Sequence, residues 1–131
     1  MSDDILHVEL VAADRVVWSG VAKIVIARTV DGDVGILPNH APMLAVLVEG
    51  VLEVRTPEDE YWIAVVDGGF LSVANNRISI LSEHAQMSHE IDLEKARHDL
   101  ERAHAAGEED AEHLEAVRLA DAKIRAVEKA S

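Results

Sequence analysis

From Ile5 to about Ile80 apolar and polar residues alternate mostly with a period of two, the repeat of a strand with one buried face. Leu6, Val8 and Leu10 point one way from the first such stretch, and His7 and Glu9 point the other. Val16-Val17-Trp18 follows, and Ser19-Gly20 is predicted to turn the chain. Lys23 to Thr29 is predicted as a strand with Ile24 and Ile26 on one face. Val25 and Ala27, on its other face, are also apolar, which predicts cover there too. Asp31-Gly32-Asp33 reads as a turn in which glycine supplies the unusual backbone angle. Met43 to Val48, Val51 to Arg55 and Tyr61 to Val66 are further strands, separated by Glu49-Gly50 and by Thr56-Pro57-Glu58-Asp59. Gly69 to Val73 and Arg77 to Leu81 form a hairpin across Ala74-Asn75-Asn76, with Ile78 and Ile80 alternating with Arg77 and Ser79. Many short strands without intervening helices predict an antiparallel β-sandwich or barrel.

After a polar connector from Glu83 to Glu90 the period changes. Asp92 is placed to cap a helix, with Glu94 favourable in its first turn. Leu93, Ala96, Leu100 and Ala103 recur at helical spacing. Gly107 interrupts, and Glu108-Glu109-Asp110 opens a second helix with the acids its dipole favours. Leu114, Val117, Ala120, Ile124 and Val127 form one stripe, and Lys123, Arg125 and Lys129 lie near the end, where cations are favoured. The fold class predicted is therefore α+β: an N-terminal antiparallel β-sandwich or barrel over residues 1–84, then a C-terminal antiparallel two-helix hairpin over residues 85–131. The hairpin stripes are thin and rich in alanine, so the hairpin is expected to open more readily than the sandwich.

Between the strands lies one run of a different kind, Gly35-Ile36-Leu37-Pro38-Asn39-His40-Ala41-Pro42. Residues before prolines are pushed away from helical angles, so Leu37 and Ala41 should be extended and the run a rigid corner.

Charge narrows the class. The 131 residues hold 12 basic and 25 acidic side chains, a net charge of −13. That disfavours nucleic acid and direct contact with an anionic membrane, both of which require clustered Lys and Arg. No stretch approaches the roughly 20 apolar residues of a membrane helix, and Met1-Ser2-Asp3-Asp4 opens no secretory or arginine-rich transit signal. A cytosolic chain, or one held at a membrane only through other proteins, is expected. There is no cysteine, hence no disulfide, thiol nucleophile or thiolate metal site.

Catalytic chemistry finds little footing. His7, His40, His84, His89, His98, His104 and His113 contain no i, i+4 pair, so no metal site is specified. There is no Gly-x-Ser-x-Gly elbow. Gly68-Gly69 lacks the pattern and lysine of a phosphate loop and reads as close strand packing or a bulge. Two rival classes are a free-standing sandwich that binds a small ligand, for which no convergent pocket is specified, and an enzyme of unknown type.

Three blocks carry a family resemblance. Gly35 to Pro42 with Met43-Leu44, then Asp67-Gly68-Gly69-Phe70-Leu71-Ser72-Val73 with Ile78-Ser79-Ile80-Leu81, then Ile91-Asp92 opening a helical tail, stand in order and spacing similar to the epsilon subunit of rotary proton-translocating ATP synthases, bacterial or plastid type. The resemblance implies a non-catalytic central-stalk subunit at the cytoplasmic face of the cell membrane. It would grip the gamma subunit, contact the membrane ring of c subunits through Asp31, Gly32, Asp33 and His40, and couple proton flow to catalysis. It further implies that the tail reaches the catalytic alpha and beta subunits and restrains ATP hydrolysis, with Arg118, Lys123 and Arg125 as contact candidates. Some bacterial members bind ATP through (Ile/Leu)-Asp-x-x-Arg-Ala; here the run is Ile91-Asp92-Leu93-Glu94-Lys95-Ala96. Lys95 lacks the planar fork of the arginine, Arg102 matches a second basic position, and Gln86 replaces an acid. ATP binding at Asp92, Lys95 and Arg102 would thus be weak, and the bland reading makes Asp92 a cap and the two cations solvated. No other cofactor is implied.

Overall fold

The computed structural model describes residues 5–106 and 111–130. The segments predicted at Met1 to Asp4 and at Gly107 to Asp110 lie outside the described residues. Eight strands come first: β1 Leu6–Val11, β2 Val16–Ala22, β3 Ile24–Thr29, β4 Gly32–Ile36, β5 Met43–Arg55, β6 Tyr61–Ala74, β7 Arg77–Leu81 and β8 Ala85–Met87. A 3-10 turn at Ser88–Glu90 leads to helices α1 Leu93–Ala106 and α2 Ala111–Ala130.

The strands form one sheet in the order β2-β1-β7-β6-β5-β3-β4, with β8 paired to β6. All neighbours run antiparallel except β1 and β7, which are parallel. Alternation places the core. Leu6, Val8, Leu10, Val25, Ala27, Leu71, Val73, Ile78 and Ile80 are buried, and they pack with Leu52, Val54 and Ala64 in one cluster. A single cluster fed by both ends of the strand order requires the sheet to fold over on itself, the β-sandwich the pattern predicts. On β3 the buried apolar residues are Val25 and Ala27, with Thr29 buried at the strand end, while Ile24 and Ile26 are partly covered.

Three predicted breaks are strand interiors. Ser19-Gly20 lies within β2, because Gly20 leaves room for the Trp18 ring: a Cβ there would meet it at 2.9 Å. Glu49-Gly50 lies within β5, whose pairing with β6 runs without a slip from Met43↔Val73 to Arg55↔Tyr61. Gly50 admits the Arg28 side chain, 3.3 Å from where a Cβ would stand. Tyr61–Val66 and Gly69–Val73 likewise join in β6. Gly68 and Gly69, both at positive φ, bend it, and Gly69 passes so close to Leu81 that a Cβ would lie 1.9 Å from its carbonyl oxygen. The close packing read into Gly68-Gly69 is found there. The predicted connector from Glu83 to Glu90 contains β8, with Ala85 and Met87 buried against β6. A three-residue strand is too short to show a period.

The turns follow their chemistry. Asn75 and Asn76 both adopt positive φ and close the β6–β7 hairpin as two residues, since Ala74 already pairs with Arg77. At Thr56 to Glu60 the Thr56 hydroxyl accepts from the Glu60 N–H at 3.1 Å. Asp92 caps α1 as read, its Oδ1 accepting from the Lys95 N–H at 3.1 Å. Helix α1 turns Ala96 inward, and α2 turns Ala120 inward where the two helices pack together.

Candidate functional site

Register exposes a surface that the strand pattern alone does not reveal. Val46 on β5 stands opposite Phe70 on β6, Phe70 opposite Leu81 on β7, Leu81 opposite Val11 on β1, and Val11 opposite Val16 on β2. Val30, in the β3–β4 turn, extends the row by donating its N–H to the Val46 carbonyl at 3.0 Å. Val16, Val30, Val46, Phe70 and Leu81 are exposed, Phe70 at 54% and Leu81 at 53%, and Val11 is partly covered. Leu44, 75% exposed, lies beside them, and its row continues through Ser72 and Ser79 to Glu9 and Ser19. The result is an apolar band across five strands, flanked by small hydroxyl side chains. A hollow of about 440 Å³ opens next to it between Val11, Gly69, Phe70 and Leu81. Contiguous apolar surface of this kind is a mark of a protein partner. The signal in the sequence was the unbroken run Met43 to Val48, apolar on both faces of its strand.

The other outward apolar face is covered. Beyond the Gly68-Gly69 bend, Ile63 and Val65 of β6 are buried with Ala122 and Ala126 of α2, and Val51, Ile91 and Leu119 pack around them. The stripe of Leu114, Val117, Ala120, Ile124 and Val127 does not include this face. Its signal was the spacing of Leu119, Ala122 and Ala126, which gives α2 a second, alanine-lined side. Two ion pairs flank the contact: Arg118 Nε to Glu49 Oε1 at 2.8 Å and Lys129 Nζ to Glu53 Oε2 at 3.7 Å. Both acids are mostly buried on β5.

The other residues singled out from sequence fall into separate places. The β3–β4 turn is Val30-Asp31 rather than the predicted Asp31-Gly32-Asp33: Gly32 and Asp33 already belong to β4, where Gly32 pairs with Thr29, whose hydroxyl donates to the Gly32 carbonyl at 2.8 Å. Asp33 pairs with Arg28 on the opposite strand at 3.3 Å. His40 stands in the corner, its Nδ1 2.7 Å from the Ala41 carbonyl oxygen. The corner is fastened through Asn39, whose N–H donates to Asn76 Oδ1 at 2.6 Å and whose Oδ1 accepts from Asn76 Nδ2 at 3.3 Å. Asp92 and Lys95 line a cavity of about 220 Å³ with Gln86, Glu90, Asp99 and Lys123. Arg102 does not line it. Lys95 reaches Asp99 at 3.5 Å, and Arg125 pairs with Asp121 at 3.0 Å.

Two polar clips hold the elements around β8. Asp67, at the β6 bend, accepts from Ser82 Oγ at 2.9 Å and from the His84 N–H at 3.1 Å, and faces His84 Nδ1 at 2.7 Å. The carboxylate holds the His84 imidazole above its ordinary pKa. Burial pushes the Asp67 carboxyl up, yet the His84 and Ser82 hydrogen bonds outweigh it and hold the group low. Arg15 bridges to Glu90 at 2.9 Å, which raises the guanidinium and lowers the carboxyl. Among the described residues no group of three His, Asp or Glu side chains converges as a metal site requires, and no helix is long and apolar enough to cross a membrane.

Comparison with known proteins gives a consistent picture. Residues 5–88 match the family described as ATP synthase, Delta/Epsilon chain, beta-sandwich domain. The chain is 51% identical over 122 residues to an ATP synthase epsilon chain of Streptomyces avermitilis, covering 93% of this chain and 94% of that one. It is 44% identical over 126 residues to an ATP synthase epsilon chain of Rhodococcus jostii, covering 95% and 98%. Its fold is similar to a chain in the OSCP/F1/c-ring structure of Euglena gracilis mitochondrial ATP synthase, with a TM-score of 0.74 and 26% identity, covering 98% of this chain and 79% of that one.

Proposed function

The chain belongs to the ATP synthase delta/epsilon family, and on that premise we propose that it is a non-catalytic subunit of the central stalk whose uncovered apolar band docks on the gamma subunit. The observation that carries this reading is the band itself. Its outward counterpart on β5 and β6 is buried by α2, whereas Val30, Leu44, Val46, Phe70, Leu81 and Val16 are left open. An apolar band flanked by serines suits a lasting protein contact rather than a charged, transient one. The Asp31 to Asp33 segment and the His40 corner then face the ring of c subunits, and the protein couples proton flow to catalysis while held peripherally at the cytoplasmic face of the membrane.

The tail regulates. In the docked state Arg118 and Arg125 are occupied by Glu49 and Asp121. Reaching acidic segments of the catalytic alpha and beta subunits therefore requires α2 to leave the sheet and exchange partners. Alanine methyls contribute only about 0.8 kcal/mol each on burial, so a small bias suffices to move the tail. Nucleotide at the head of α1 binds weakly in this reading. Glu90 and Asp99 line the same cavity as Lys95 and repel phosphate, and Arg102 lies outside it. Isothermal titration with millimolar ATP should give little or no heat; tight binding would overturn this part.

The main test restores ATP hydrolysis control to a cognate complex stripped of this subunit. The full chain and a chain ending at residue 90 should both bind, and only the full chain should slow hydrolysis. Equal behaviour of the two would remove the regulatory role of the tail, and failure of both to bind would overturn the stalk assignment.

A further inference from the structure

One further cavity among the described residues belongs to none of these surfaces. It is a groove of about 580 Å³ between the β1–β2 loop, β8 and α2. Ala12, Val65, Ala85 and Leu119 give it an apolar lining, and Arg15, His84 and Lys123 bring cations to it. Its size is that of sites for small organic molecules.

The cations are not equivalent. Arg15 is held by Glu90 and His84 by Asp67. Lys123 makes no ion pair or hydrogen bond with any described residue, although it is half-buried and lines both this groove and the adjoining cavity at the head of α1. Gln86 also lines both, beside it. An ammonium with no hydrogen-bonded or ion-paired partner among the described residues, beside an apolar floor, suits one negative charge on an apolar body. Asp14 and Glu83 on the rim select against a second charge.

We propose that this groove binds a small amphipathic monoanion, such as an aryl or short alkyl carboxylate or sulfonate, with its charge on Lys123 and its apolar part on Val65, Ala85 and Leu119. Polyphosphates are excluded by the same rim. The walls come from two elements that separate when the tail lifts: Leu119 and Lys123 from α2, the rest from the sandwich and its loops. A ligand that needs both walls binds only the docked state. At ten times its Kd it lowers the population of the open tail about elevenfold. The anion site stands on the groove alone, and its effect on the tail rests on the release of α2 described under the proposed function.

The probe is 8-anilinonaphthalene-1-sulfonate, an aromatic monosulfonate, titrated into the full chain by fluorescence and calorimetry. Saturable binding at one site is expected, with amide shifts in Ala85 to Gln86 and Leu119 to Lys123 by NMR. Lys123→Gln should weaken it about tenfold or more, since a charged hydrogen bond is lost, while Phe70→Ser should leave it unchanged. Hydrogen exchange in α2 should slow as the probe saturates. Binding abolished by Phe70→Ser and untouched by Lys123→Gln would place the probe on the exposed band and overturn the proposal. Absence of binding, or binding that leaves α2 exchange unaltered, would overturn it as well.

Discussion

Gly69 leaves less room for a Cβ than any other glycine among the described residues. With φ at 116° and Leu81 at its side, an alanine there both strains the backbone and drives its methyl into a carbonyl oxygen. Gly69→Ala should cost roughly 2–4 kcal/mol, measured as a drop in the urea midpoint at unchanged slope. Gly32, also at positive φ but with open space around it, should cost less on the same change. The Asp67–His84 clip gives stability a pH dependence. His84 is held above its ordinary pKa, so its contribution is complete below about pH 6.5 and fades as pH rises through the folded value. Asp67 is held low, so its contribution is complete above about pH 4 and fades as pH falls through the folded value. The clip is strongest between those limits. His84→Ala should flatten the change in urea midpoint between pH 5 and pH 8; an unchanged slope would show that the clip does not couple to folding. That His84 would meet Asp67 was not legible, because the residues lie on β6 and on the link into β8, and only the sheet register joins them.

At the scale of elements, α2 is the part that can leave. It meets the sheet through alanines and one leucine, with Arg118–Glu49 and Lys129–Glu53 at the flanks. The cations of both pairs are about half exposed, so solvent screens the pairs and each contributes about 0.2–1 kcal/mol. Arg118→Ala with Lys129→Ala should speed hydrogen exchange in α2 roughly 2- to 30-fold and leave β1 and β7 unaffected. Equal acceleration in the sandwich would mean that tail and sandwich unfold as one unit. The helices themselves were legible from their period and from the Asp92 cap. The docking face was not, because a stripe of Ala122 and Ala126 is indistinguishable in sequence from a solvated alanine-rich side. Strands β5 and β6 were read as two pieces each for a related reason. Glycine in a strand has the composition of a turn, and here Gly50, Gly68 and Gly69 instead serve close packing and a bend within continuous pairing.

For the whole molecule the decisive contrast is between two outward apolar faces, one covered by its own tail and one open. Phe70→Glu places a charge at the centre of the open band without touching the core, since Phe70 faces out. It should leave thermal stability nearly unchanged and prevent co-elution with a stripped ATP synthase on gel filtration. Retained co-elution would move the docking surface elsewhere. Its acidic character, net −13, is no obstacle to such a contact, because apolar side chains rather than charges dominate the band.

The sequence by itself determined the strand faces, the turn at Thr56-Pro57-Glu58-Asp59, the place of the hairpin turn read as Ala74-Asn75-Asn76, the helix cap, the fold class and the family. Each of these depends on neighbours in the chain, on a period of two or 3.6, or on a motif kept in order. Tertiary structure alone decided which outward residues form a continuous row, that the corner at Asn39 is tied to Asn76, that α2 lies on β5 and β6, and that Lys123 lines a groove with no ion-pair partner among the described residues. Those facts follow from cross-strand register and from helix docking, which bring together residues far apart in sequence, so no local pattern encodes them.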